Sequence, residues 1–179
     1  KKSNELMAHA YSHLYGLPMT GLRFFTVYGP YGRPDMAYYK FTKAILEGKP
    51  IDIYNHGDML RDFTYIDDIV SAIVKLMDKP PVRGASEHSN AEAAHKVYNI
   101  GNNQPVSLRR FITAIESALG QKAVENSLPN QAGDVPVTFA DIDELQADIG
   151  FKPDTTIEDG IQKFVEWYFS INAANKPLL

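Results

Sequence analysis

The chain has 179 residues, enough for one domain with a sizeable core, and its 44% apolar and 22% charged content are those of a globular protein. A net charge of −4 argues against a nucleic-acid footprint but leaves room for a local cationic pocket that takes phosphate. With no cysteine there is no disulfide or thiolate zinc site, which fits the cytoplasm, and no apolar run reaches the roughly 20 residues that span a membrane.

From Lys1 to Tyr15, residues Leu6, Met7, Ala10, Tyr11 and Leu14 fall at helical spacing, and Gly16 suits a left-handed stop. Lys1 already reads as mid-helix, with neither cap nor initiator Met, so an upstream part is expected. Thr20–Val27 is a near-unbroken apolar run bounded by Gly and Pro, the pattern of a strand buried on both faces of a parallel sheet. The stretch Gly29-Pro30-Tyr31-Gly32-Arg33-Pro34-Asp35 then excludes helix and regular strand, because its prolines fix φ and remove donors. Ligands of open α/β sheets bind at such strand ends, although most strand–loop junctions are ordinary turns.

The spacing predicts a helix over Ala37–Glu47, with Phe41, Thr42 and Ile45 inward and Gly48 and Pro50 as the stop. Ile51-Asp52-Ile53-Tyr54 alternates as a strand does, and Asn55–Asp58 reads as a turn. Arg61–Ile66 reads as another strand, with Asp67 capping a helix that carries Ile69, Val70, Ile73, Val74 and Met77. From Lys79 to Lys96 the apolar period is lost, which predicts an exposed loop over residues 80–96. His88 and His95 stand in it without neighbouring ligands, so no metal site is read there.

Val97–Gly101 reads as a strand, and Ser107 caps a helix carrying Phe111, Ile112, Ile115 and Leu119 up to Gly120. Val135–Phe139 is expected to be extended, and Asp141 to cap a short helix ending at Gly150. Thr156-Ile157-Glu158-Asp159 opens the last helix, with Ile161, Phe164, Val165, Tyr168 and Phe169 along it and a frayed tail from Asn172. Strands alternating with helices define an α/β sheet. No G-x-G-x-x-G turn follows any strand, so the dinucleotide phosphate site proper is not read in these residues.

Arg23-Phe24-Phe25-Thr26-Val27-Tyr28-Gly29-Pro30 resembles the R-[YF]-F-N-V-Y-G-P segment of extended short-chain dehydrogenase/reductases that act on nucleotide sugars. Thr26 departs from the usual Asn, and with Gly-Arg-Pro-Asp-Met following, the stretch is most similar to UDP-glucuronate 4-epimerases. The resemblance covers residues 1–179 as the C-terminal half of such an enzyme. It implies the last elements of a Rossmann-type fold with a substrate-binding part, and places the Gly-rich turn upstream. It also implies NAD as cofactor, a UDP-sugar substrate and a homodimer, the last through the apolar stripe of the first helix if that stripe does not serve the core.

The resemblance assigns roles residue by residue. Lys1 matches the Lys of a catalytic Tyr-x-x-x-Lys pair, where the ammonium stabilises a phenolate one helical turn away; read alone, Lys1-Lys2 is a solvated surface pair. Lys1 and the backbone of Phe25 would meet the cofactor. Arg61, in Arg-Asp-Phe-Thr-Tyr-Ile-Asp-Asp, would grip the diphosphate through its planar fork. Its plainer alternative is a surface ion pair with Asp58 or Asp62. Tyr54 would lie against the uracil, with Ile53 offering backbone groups, and Asp134 would hold the ribose. Gln131 stands where many relatives carry a second Arg. Arg33, with Thr26 beside it, would meet a sugar carboxylate.

The implied function is the interconversion of UDP-glucuronate and UDP-galacturonate by transient oxidation at C4, with these 179 residues alone inactive. The rivals are another NAD-dependent nucleotide-sugar epimerase, dehydratase or decarboxylase, and a non-catalytic domain that keeps the sugar-nucleotide pocket.

Overall fold

The computed structural model describes residues 1–84, 93–130 and 133–174. Helix α1 (Lys2–Tyr15) ends at Gly16, whose φ of 66° lets its N–H reach the Ser12 carbonyl at 2.9 Å. The extended run that follows is two strands. β1 (Met19–Phe24) pairs in parallel with β6 (His95–Ile100), placing Met19 opposite His95 and Phe24 opposite Ile100. At Phe25 the chain changes partner: the Phe25 N–H donates to Ile100 O at 3.3 Å and the Thr26 N–H to Asp62 O at 3.1 Å. From there β2 (Thr26–Tyr28) pairs in parallel with β5 (Phe63–Tyr65).

Burial on both faces does not hold for this run, since Arg23 is exposed and Phe24 is 49% accessible. Leu22, Phe25 and Val27 pack on the core around Ile69, Ile100 and Leu145, while α1 covers the other side only in part and leaves the end of β1 open. Arg23 is tied to that helix, its Nε and Nη2 donating to the two oxygens of Glu5 at 2.8 Å each. Those bonds, with one from Lys2, draw the Glu5 carboxyl down to about 2. The α1 stripe does not serve this chain's core: Leu6, Met7, Tyr11 and Leu14 are exposed, and Ser12 is the buried residue of the helix.

Helix α2 (Ala37–Leu46) leads into β3 (Pro50–Tyr54), which buries Ile51 and Ile53 and exposes Pro50 and Asp52. β3 pairs in parallel with β8 (Val124–Leu128), a strand the sequence pattern did not announce because Val124 to Ser127 are all exposed. The expected strand Arg61–Ile66 is divided at the buried Asp62. Before it, β4 (Leu60–Arg61) runs antiparallel to β7 (Val106–Ser107); after it comes β5. Val135–Phe139 forms no regular strand but lies along β4, with Leu60 N–H donating to Pro136 O at 2.9 Å and Thr138 N–H to Leu60 O at 3.1 Å.

Helix α3 (Ile66–Met77) begins one residue before Asp67, with Tyr65 in the N-cap position and no side-chain cap. Asp67 and Asp68 stand instead in the first turn, where the helix dipole favours a carboxylate. This helix carries two apolar stripes, and tertiary packing chooses Ile69, Ala72 and Leu76, leaving Val70, Val74 and Met77 exposed. Ser107 Oγ caps α4 (Leu108–Leu119) by accepting from Arg110 N at 3.2 Å. Asp141 Oδ1 accepts from Asp143 N at 3.1 Å at the head of α5 (Asp143–Ile149), which Gly150 ends. Thr156 Oγ1 accepts from Asp159 N at 3.1 Å, and α6 (Ile157–Ala174) runs past Asn172.

The expected loop over 80–96 is shorter at its far end, because Ala93 and Ala94 are buried and β6 begins at His95. Its middle, with His88, and Gln131 lie outside the described residues. One core gathers Tyr28, Phe63, Phe111 and Phe164 between α2, α4 and α6, with the Phe63 and Phe111 rings stacked at 4.3 Å. A second, around Ile69, Ile100, Leu145 and Phe151, lies between α3, α5 and β6. Gly160 brings α6 onto the first core: a Cβ there would stand 2.7 Å from ring carbons of Tyr28, whose hydroxyl donates to Thr156 O at 3.2 Å. Among the described residues no helix is long and apolar enough to cross a membrane.

Candidate functional site

Arg61 ends a two-residue strand and turns back along it. Its Nη1 donates to the carbonyls of Leu60 at 3.0 Å and Pro136 at 3.2 Å, and its Nη2 donates to Asp134 Oδ1 at 2.7 Å and to Met59 Sδ at 3.8 Å. The guanidinium is thus fixed by the segment that crosses β4, with its side chain 20% exposed. The ion-pair partner is Asp134 rather than Asp58 or Asp62, because Leu60's ladder with Pro136 and Thr138 lays that segment beside Arg61.

Tyr54 closes β3 and lines a cavity of about 390 Å³ with Asp52, Phe41, Lys40 and Asp35. The Ile53 side chain is 1% exposed and belongs to the core, so any ligand contact there falls to its backbone. Arg33 lies in the loop after β2, where Tyr31 takes a left-handed φ of 60° and a Cβ on Gly32 would collide with the Tyr38 hydroxyl. Arg33 Nε donates to Asp35 Oδ1 at 2.9 Å and its Nη2 to Asp35 Oδ2. Both side chains are exposed, and the pairing holds the Asp35 carboxyl below the usual carboxylate range.

The structure therefore brings Arg61 and Asp134 into contact and sets Thr26 one hydrogen bond from Asp62, the neighbour of Arg61. It places Tyr54 and Asp35, the partner of Arg33, on one cavity. Lys1 and Phe25 join neither group: Lys1 is exposed at the head of α1, and Phe25 packs half-buried on the second core. Sequence reasoning passed over Asp35, whose signal was its two-residue spacing from Arg33. It offers Asp62 only as a surface ion-pair partner, although an acid followed by Phe-Thr-Tyr in a buried strand has no reason to stand at the surface.

Parallel strand pairs alternating with helices, with a fixed arginine and an aromatic-lined cavity among them, mark this chain as part of a Rossmann-type α/β protein. It belongs to the NAD dependent epimerase/dehydratase family, whose model matches residues 1–101. Over 175 residues it is 61% identical to Protein CapI of Staphylococcus aureus, covering 94% of this chain and 52% of that protein. It is 53% identical, also over 175 residues, to a probable UDP-glucuronate 4-epimerase of Rhizobium meliloti, covering 94% and 51%. The crystal structure of UDP-glucuronic acid 4-epimerase from Bacillus cereus, in complex with UDP-glucuronic acid and NAD, superimposes with a TM-score of 0.80 at 32% identity, covering 96% of this chain and 51% of that one. The chain spans about half the length of the relatives it matches.

Proposed function

We propose that this chain forms the nucleotide-sugar-binding part of a UDP-glucuronate 4-epimerase, an NAD-dependent isomerase that interconverts UDP-glucuronate and UDP-galacturonate. The observation that carries the reading is Arg61, a fork of donors fixed between Asp134 and two carbonyls beside β4. A guanidinium held in one orientation loses little freedom when a diphosphate arrives. In this reading Arg61 grips the diphosphate, Asp134 the ribose and Tyr54 the base, while Thr26 and Arg33 meet the sugar carboxylate.

In this reading the groups this chain offers NAD are Phe25 and Lys1. Phe25 sits where the strand changes partner and its N–H is already taken by Ile100, so its carbonyl is what remains for a ligand. Lys1, in the N-cap position of α1, would steady a phenolate one turn upstream. When bound, NAD supplies reversible hydride transfer at the sugar C4. The residues of this chain hold the nucleotide while the sugar turns, which requires tight binding remote from the reacting carbon.

The exposed apolar face of α1, with Leu6, Met7, Tyr11 and Leu14, suits a homodimer contact, and the acidic, cysteine-free composition suits the cytoplasm. The test is turnover by the complete protein. Incubation with NAD and UDP-glucuronate should yield UDP-galacturonate, resolved by anion-exchange chromatography, whereas these 179 residues alone should yield none. Turnover of UDP-glucose with UDP-glucuronate left untouched would overturn the uronate assignment.

A further inference from the structure

Asp62 is a carboxylate with no exposed surface, one residue beyond Arg61, and among the described residues no arginine, lysine or histidine hydrogen-bonds to it. A buried charge of this kind persists only when its lone pairs are filled, and here they are. Oδ1 accepts from the Asn102 N–H at 2.7 Å and, more weakly, from the Thr64 hydroxyl at 3.4 Å. Oδ2 accepts from the Asn103 N–H at 3.0 Å and the Ala140 N–H at 2.8 Å. Its carbonyl accepts from the Thr26 N–H at 3.1 Å. One residue therefore joins β2, β5, the turn after β6 and the segment that brings Asp134 and Pro136 to Arg61. The packing leaves no slack: a Cβ on Gly101 would stand 2.8 Å from Asp62 Oδ2 and would overlap Ala140.

We propose that Asp62 is the positioning residue of the diphosphate site: by holding Ala140 it keeps the Pro136 carbonyl on Arg61 Nη1 and so sets the direction of the guanidinium. The inference rests on the reading of Arg61 as the phosphate-binding group. Asp62 itself has no exposed atoms to offer a ligand, so its effect on diphosphate binding must run through Arg61.

The test is a double-mutant cycle on the affinity for inorganic diphosphate, which has no ribose for Asp134 to hold, measured by calorimetry on the complete protein with its NAD content determined in each variant. Asp62→Ala should raise the Kd for diphosphate by about tenfold or more, with NAD content unchanged. In an Arg61→Ala background the same change should alter the Kd by no more than about twofold, because the group it positions is gone. A defect that is merely structural would act equally in both backgrounds and would lower NAD content as well. That result, or an unchanged Kd in Asp62→Ala while Arg61→Ala weakens diphosphate binding, overturns the positioning role. An unchanged Kd in Arg61→Ala alone overturns the diphosphate reading, and this role with it.

Should Asp62→Ala fail to fold, Asp62→Asn replaces it in the cycle. Its amide nitrogen can donate to Thr64 Oγ1, and its oxygen can still accept from Asn103 and Ala140, leaving one donor, Asn102, opposed. It should show a smaller loss with the same dependence on Arg61. An equal loss with and without Arg61, or no loss, refutes the proposal.

Discussion

Arg61 and Asp134, 73 residues apart in sequence, form a 2.7 Å ion pair that uses one of the four terminal N–H groups of the guanidinium. The other acceptors, Leu60 O, Pro136 O and Met59 Sδ, account for the remaining three, leaving Nε as the donor without a partner among the described residues. A diphosphate must therefore take Nε, displace Asp134 from Nη2, or both. Arg61→Ala should weaken UDP by roughly ten- to a hundredfold, since a charge-assisted contact contributes about 1.5–3 kcal/mol. Asp134→Ala should weaken UDP, which loses its ribose partner, while inorganic diphosphate binds as well or better because Nη2 is released. Calorimetry with the two ligands separates these effects. Parallel losses of both ligands in Asp134→Ala would mean that Asp134 only orients Arg61.

His95 sets a second expectation. It opens β6 edge-on to His9 of α1, ring centroids 5.5 Å apart, with its Nε2 buried and without a partner among the described residues. Burial pushes the His95 imidazole below its ordinary value, the charge of His9 adds to this, and Glu5 opposes it weakly. A base with a depressed folded pKa leaves stability intact above its unfolded value near 6.5 and erodes it as pH falls from there to the folded value, because only the unfolded chain takes up the proton. Thermal melts between pH 7.5 and 5 should show falling stability in the parent protein and a flatter profile in His95→Phe, which keeps an aromatic edge against His9. Superimposable profiles would remove His95 as the source.

What the sequence shows of this fold follows from how local each signal is. Ser107, Gly120, Gly150 and Thr156 end or begin helices through bonds within a few residues, and all four act as their residue types suggest. β8 stayed hidden because pairing with β3 leaves its side chains in solvent, so no apolar period marks it. The α3 stripes were indistinguishable until Tyr98, Leu145 and Phe151 arrived from distant segments to cover one of them. The same holds at the candidate site. Arg61 stood out by its motif, but its partner comes from 73 residues away, and Asp58 and Asp62 were the nearer candidates. The fourfold satisfaction of Asp62 depends on three separate segments and has no local signature.

Arg33 offers the sharpest test of substrate. Its guanidinium is held by both oxygens of Asp35 in an exposed, proline-flanked loop, and Asp35 also lines the cavity beside Tyr54. The exchange of one carboxylate for another is feasible because an exposed ion pair is worth little. If the incoming carboxylate is that of the sugar, Arg33→Ala should leave UDP affinity nearly unchanged. It should depress kcat/KM for UDP-glucuronate by about ten- to a hundredfold, the worth of one lost charge-assisted contact. Residual UDP-glucose turnover should fall far less, since a neutral hexose has no group for the arginine. Arg33→Lys should recover only part, because an ammonium cannot make the planar two-point contact. The deciding quantity is the ratio of kcat/KM for the two sugars in parent and variant. An equal loss for both would assign Arg33 to holding the loop, and would leave the general nucleotide-sugar epimerase as the better reading of the site.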